Sequence, residues 1–418
     1  MKTMEESGYV DGYTDENTGD IGVEIYGRDV IHLNGKVTSK TPLLTTAQDF
    51  AGAINELFQS GTGGGDEYWT PPEDWLPVPE PGAYEICLLI EVKEVSTSYG
   101  PYLSLTLCRP EDSNTGYGPL AIDWGDGIKD HWAGSEYGDS WSWRTDHYYE
   151  QTGQYVVKIT TTENSCYWIQ TSPSGNVYAK MLIAKLGDEI IVSNGDSGGT
   201  QNAFKGQHNL HYVKLNGKGG LPYYGAFNGD YSLRRVDIKT PPEIIPKDAF
   251  NYCFNLKKFD FSEVIRINDY GLRFTGFPKL NLPKCTSIGQ YGINNNYTLS
   301  EINAPLCTEI SKNGIAYNYS LKKLFLPICR SLGVQSIYEN HSLDKIELPE
   351  CTSVGQYGIS SNYRLLEIHM PECLTIDSYG LANNYALKEL EVADGCTFGA
   401  NSFQSCYCLY PRPDGSTN

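Results

Sequence analysis

Seven histidines and 51 acidic side chains are the groups in this 418-residue chain that could move protons or hold a metal ion. Their spacing does not assemble them. His208-x-x-His211 is a pair without further ligands close by in sequence, and His32, His131, His147, His341 and His369 are scattered. Asp123 and Asp126 lie three apart, but a dedicated calcium site needs 6–8 oxygens. Glu367 with Glu372 is the spacing at which two carboxylates could flank a glycosidic bond, yet both fall where coil edges meet solvent. No G-x-S-x-G, H-E-x-x-H, Walker A or strand-to-helix G-x-G-x-x-G occurs. The expectation is a protein that is not an enzyme, with no catalytic residue, no metal and no cofactor.

The cysteines have a different logic. Cys285, Cys307, Cys329, Cys351 and Cys373 recur every 22 residues. Zinc sites use close pairs, so one cysteine per period reads as a small buried hydrophobe at a fixed place in a stacked core. The same period carries tyrosine. One column is Tyr297, Tyr319, His341, Tyr363, Tyr385 and Tyr407; a second contains Tyr270, Tyr291, Tyr357 and Tyr379. Tyrosine gives a large amphipathic contact at low entropic cost, which suits a binding surface or sugar stacking. The same rings could equally pack on neighbouring coils and stabilise the stack.

The elements that position these columns are internal repeats, beginning at Phe277, Leu299, Leu321, Leu343, Leu365 and Leu387, with looser copies at Leu210, Leu233 and Leu256. That is about nine coils of 21–23 residues. Apolar residues at positions 1, 4 and 6 make a short strand with one face inward. Proline at 7 ends it, cysteine at 9 and isoleucine at 12 fill the interior, and glycine at 16 permits a tight turn or close coil approach. Asn296, Asn318, Asn340, Asn362 and Asn384, then Cys406, occupy position 20. Buried amides at one coil spacing can satisfy turn backbone. The pattern, visible also in IPKDAFNYCFNLKKFDF at 245–261, resembles BspA-like leucine-rich repeats. The resemblance implies a solenoid over 196–418 and binding rather than catalysis.

Upstream, 83–195 reads as an all-β unit of strand-like runs between turn clusters. Ile122-Asp-Trp-Gly-Asp-Gly127, then His147-Tyr-Tyr and Gly153-Gln-Tyr-Val-Val, resembles the polycystic-kidney-disease (PKD) type of immunoglobulin-like sandwich. In that reading Asp126 bonds the turn backbone and His147 is a packed core residue. Residues 61–82 form a Gly-then-Pro linker, with Trp69 and Trp75 clipping it to the sandwich. Residues 45–59 read as one amphipathic helix with Phe50, Ala53, Ile54, Leu57 and Phe58 in its stripe. That stripe suits docking on a partner or self-association into a homo-oligomer; packing on preceding strands fits as well. The stretch T-x-A-x-x-x-x-G-A-I-N-E-L resembles an element near the start of phage tail, fibre and other virion proteins, so residues 1–60 are expected to be an attachment segment.

Charge agrees with this division. Residues 1–200 hold 11 basic and 31 acidic side chains, and 201–418 hold 21 and 20. The acidic balance argues against nucleic acid and against anionic membranes. The first ten residues lack the pattern of an export signal, and no apolar run is long enough for membrane insertion. The fold expected is mainly β: attachment segment, sandwich, solenoid. The function expected is a phage structural protein, a fibre or surface appendage located on the virion. It would bind other virion proteins through its N-terminal segment and a host-surface glycan or protein through the tyrosine columns. Two alternatives remain: a bacterial surface adhesin whose export signal lies upstream, and a depolymerase of surface polysaccharide.

Overall fold

The computed structural model describes residues 69–93, 102–108, 120–132, 142–161, 169–171, 179–190, 204–215, 221 and 224–416, together with three short strands near the start. The chain divides into two compact units, 1–65 and 66–418. In the first, β1 (Val10–Thr14), β2 (Ile21–Ile25) and β3 (Arg28–Leu33) form an antiparallel sheet in chain order. The expected helix over 45–59, with Phe50, Ile54, Leu57 and Phe58, lies outside the described residues. Those residues contain no helix, so none of their helices could cross a membrane.

The second unit begins with an antiparallel region. Its strands are β4 (Glu85–Val92), β5 (Tyr102–Cys108), β6 (Leu120–Asp123), β7 (Lys129–Trp132), β8 (Ser142–Tyr148), β9 (Gly153–Thr160), β10 (Ile169–Thr171) and β11 (Ala179–Leu186). One sheet is ordered β10-β5-β8, the other β11-β4-β9-β6-β7. Strand β4 is central in the larger sheet and buried on both faces, which is why EICLLIEV reads as a continuous apolar run rather than an alternation.

The larger sheet does not stop at β11. Strand β12 (Tyr212–Leu215) pairs parallel with β11, and β13 (Arg235–Ile238) pairs parallel with β12. These are the first strands of the repeats, so one seven-stranded sheet runs from the antiparallel region into the solenoid. A single hydrophobic core follows it from Ile86 to Leu409. The antiparallel region thereby covers the edge that the first coil would otherwise expose, the covered end that a solenoid requires.

Beyond β13 the coils stack in parallel register at the repeat period. A ladder of eight two-residue strands runs from Ile244–Ile245 to Thr397–Phe398, one strand per coil. This gives about eight turns where the sequence suggests nine: among the described residues the coil beginning at Leu210 contributes β12 to the shared sheet but no strand to this ladder. The repeat cysteines are fully buried and pack inside. Ten cysteines whose side chains are described, those of the repeats among them, are free thiols. Burial pushes Cys285 up to about 11 and Cys329 up to about 12, so neither is a ready nucleophile. Gly314, at position 16, approaches its own coil closely: a Cβ there would lie 2.5 Å from Ile310 Cγ2, whereas Ser336 and Ser402 occupy the same position in two other coils.

The asparagine ladder forms as expected. Asn340 Oδ1 accepts from the Asn318 backbone N–H at 3.1 Å, and Asn340 Nδ2 donates to the Ile315 carbonyl at 2.9 Å. Asn318 and Asn362 repeat both bonds one coil away. The ladder continues toward the N-terminus with other residue types, through Thr275 onto Asn296 and through Gln207 onto Asp230.

Candidate binding surface

Each coil turns through two left-handed corners held mostly by residues other than glycine. One corner is occupied in successive coils by Tyr270, Tyr291, Asn313, Gln335, Tyr357 and Tyr379, at φ between 53° and 58°. This is the second tyrosine column, and it is interrupted. Tyr270 stacks on Tyr291 at 5.1 Å, and Tyr357 on Tyr379 at 4.8 Å. Arg273 lies over the Tyr270 and Tyr291 rings at 5.6 and 5.8 Å, a cation–π arrangement.

The column that follows the asparagines is continuous. Ring centroids are separated by 5.9 Å from Tyr297 to Tyr319, 4.8 Å to His341, 4.3 Å to Tyr363, 4.9 Å to Tyr385 and 5.8 Å to Tyr407. The buried residue immediately before each ring, asparagine in five coils and Cys406 in the last, sets its height, so the ladder inside the coil dictates the ladder outside it. The structure extends the column toward the N-terminus, from Tyr297 through Phe274, Phe254 and Tyr231 to His208. That extension is hidden in the sequence because its spacing breaks from 22 residues and its residue types change.

Because each ring lies on the next, the ring faces are consumed inside the column. What faces outward is a row of ring edges and polar tips. Exposure rises toward the C-terminus, from half-buried Tyr297, Tyr319 and His341 to 36% at Tyr363, 42% at Tyr385 and 63% at Tyr407. Sugar stacking on ring faces is therefore restricted to the end of the column, and the rest offers edges and hydrogen-bonding groups. Tyr291, Tyr357 and Tyr379 are half-buried.

The motif residues of the antiparallel region form a closed knot. Gly125 and Gly127 take φ of 83° and 97°, and a Cβ on Gly125 would lie 2.6 Å from the Val156 carbonyl oxygen. Asp123 Oδ1 accepts from the Gly125 N–H and Asp126 Oδ1 from the Ile128 N–H. Asp126 Oδ2 meets His147 Nε2 at 2.7 Å, and His147 stacks on buried Trp124 at 4.5 Å. Lys129 pairs with Asp123 at 2.7 Å. Both carboxylates considered for calcium are thus engaged in turn and side-chain bonds.

The tryptophan clip is placed differently from the sequence reading. Trp69 and Trp75 both pack on His211, at 6.1 and 5.1 Å, at the start of β12. They fasten the linker to the junction of the two regions rather than to the antiparallel region alone. Burial holds the His211 imidazole below its ordinary pKa, so it is kept neutral between the indoles.

One group escaped the sequence reading. His369 and Glu367 lie on the same strand with Glu389 and Glu391 opposite them on the next. The useful signal was a two-residue alternation combined with the 22-residue offset, which only the strand register makes meaningful.

A sequence profile for the BspA type leucine rich repeat region matches residues 199–300, 222–333 and 286–410, in six copies. Among curated proteins none matches. Solved structures similar in fold include a leucine-rich repeat protein from Bacteroides ovatus, 16% identical, covering 60% of this chain and 78% of that one, with a TM-score of 0.38. A leucine rich cell surface protein from Faecalibacterium prausnitzii is 15% identical over 55% of this chain and 76% of that one, with a TM-score of 0.30. The pneumococcal vaccine antigen PcpA is 13% identical over 51% and 75%, with a TM-score of 0.28.

Proposed function

Since this chain belongs to the BspA-type leucine-rich-repeat family, we propose that it is a non-catalytic adhesin, displayed on a bacterial surface and binding a surface glycan or protein through its repeats. The observation that carries this reading is the aromatic column, one ring per coil, with its outward edges increasingly exposed toward the C-terminus. A repeated, rigid, weakly charged surface suits multivalent contact with an extended partner. The antiparallel region, a PKD-type spacer in this reading, would carry the column away from the point of attachment.

A second reading is display on a phage particle as a fibre or appendage. It is favoured by the sequence of residues 45–57, with its resemblance to virion proteins, and would assign the first unit to attachment. The two readings share the contact surface and differ in what bears it. Fractionating producing cells and purified particles separates them: recovery with the cell envelope supports the adhesin, and recovery on particles supports the appendage.

The binding role is tested by replacing Tyr363, Tyr385 and Tyr407 together with alanine. Adsorption of the purified protein to target cells is expected to fall several-fold, with the melting transition retained. Unchanged adsorption would refute the column as the contact. Release of soluble saccharide from target polysaccharide would overturn the non-catalytic assignment.

A further inference from the structure

The parallel strands Lys345–Glu347, Glu367–Met370 and Glu389–Val392 place Glu367 beside Glu389 and His369 beside Glu391. Residues two apart on a strand share a face, so these four groups form one patch. The carboxylate oxygens of Glu367 and Glu389 and a ring nitrogen of His369 all lie within 4.8 Å of one another. His369 and Glu367 are half-buried, so part of each stem is held by the sheet.

The geometry points to a divalent transition-metal site of zinc type made by Glu367, His369 and Glu389. His369 Nδ1 lies 3.0 Å from Glu391 Oε2, and its Nε2 lies 3.5 Å from Glu367 Oε2. In the tautomer that donates from Nδ1 to Glu391, the Nε2 lone pair and the Glu367 carboxylate are both acceptors, a pairing that a cation would satisfy. Imidazole nitrogen with carboxylate oxygens is a zinc donor set, and the separation is close to that of neighbouring ligands about 2 Å from one ion. Glu391 supplies the outer-shell bond that metal-ligating histidines usually have.

Lys345 also reaches Glu367, at 3.2 Å, but holds Glu347 at 2.9 Å, so it keeps a partner when Glu367 turns to a metal. Three protein ligands leave a fourth position for water or for a group on a bound partner. The site is on the repeat sheet and is independent of the tyrosine column.

The test is calorimetric titration of the metal-stripped full chain with Zn2+ alone, with bound zinc counted by mass spectrometry. One zinc ion per chain is expected to be lost in His369→Ala. Glu391→Gln is expected to weaken affinity roughly 10- to 100-fold, as outer-shell changes do. His341→Ala, at the other His–Glu pair on the repeats, should bind as the parent does. Zinc should raise the melting temperature of the parent and not of His369→Ala. Zinc uptake equal in the parent and His369→Ala, or absent from both, would overturn the assignment and leave these groups as surface ion pairs.

Discussion

Aromatic residues do opposite work in the two halves of the second unit. In the antiparallel region Trp124, His147, Tyr149 and Tyr155 meet at one place, with ring centroids 4.4–4.8 Å apart. The Tyr149 hydroxyl bonds back to the Trp124 carbonyl. These residues come from β6–β7, β8 and β9, so the knot depends on long-range topology. In the solenoid each ring touches the ring one coil before and one coil after. The difference teaches that the same stacking physics gives a single keystone in one region and a distributed, nearest-neighbour stabilisation in the other.

Substitutions can break this comparison. The largest effect is expected from Trp124→Ala, at about 3–5 kcal/mol for removing a large buried aromatic. It is measured by chemical denaturation. A loss below 1 kcal/mol would show that the knot is not a keystone. Next is Asn340→Ala in the middle of the asparagine ladder. It strands the Asn318 N–H and the Ile315 carbonyl, each buried group costing roughly 1–3 kcal/mol. The same change at Asn384, which makes the same two bonds one coil before the last, should cost about as much if neighbours alone share the load. A markedly different loss would argue against the nearest-neighbour picture.

Asp230 sharpens the comparison through pH. It occupies the ladder position where later coils have asparagine, is fully buried, and burial raises its carboxyl well above 3.8. The folded chain therefore holds a proton that the unfolded chain releases above about pH 4. Stability attributable to this group is intact below that pH and is lost as pH rises through the folded value. Asp230→Asn is expected to stabilise the protein increasingly above pH 4 and to remove this part of the pH dependence. Denaturation curves at pH 4 and pH 8 check it, and a parallel response in both proteins would refute it. The smallest effect is expected at Tyr407→Ala, within about 0.5 kcal/mol for an exposed side chain, with thermal melting as the readout. A larger loss would mean that the end of the column supports the coils.

Much of the solenoid was legible because each coil repeats one local solution. Pro283, Pro305, Pro327, Pro349 and Pro371 end each strand, the cysteines mark the interior, and the asparagines mark the turn. The first coils were harder, since Gln207, Asp230, Cys253 and Thr275 fill the asparagine column with different chemistries. Of the candidate site, the repeating tyrosines were visible, but their stacking was not. Whether neighbouring rings expose faces or edges depends on coil height and side-chain rotation.

By itself the sequence determined the period, the inward residues and the turn at Trp124–Gly127, because these follow from local backbone preference and alternation. Tertiary structure alone decided three things: that β11 passes its sheet to the first coil, that Trp69 and Trp75 close on His211, and that His369 meets Glu367, Glu389 and Glu391. Each joins residues whose separation in sequence carries no local signal. Their meeting is set by strand register, which a chain acquires only when its coils and sheets bury their edges against one another.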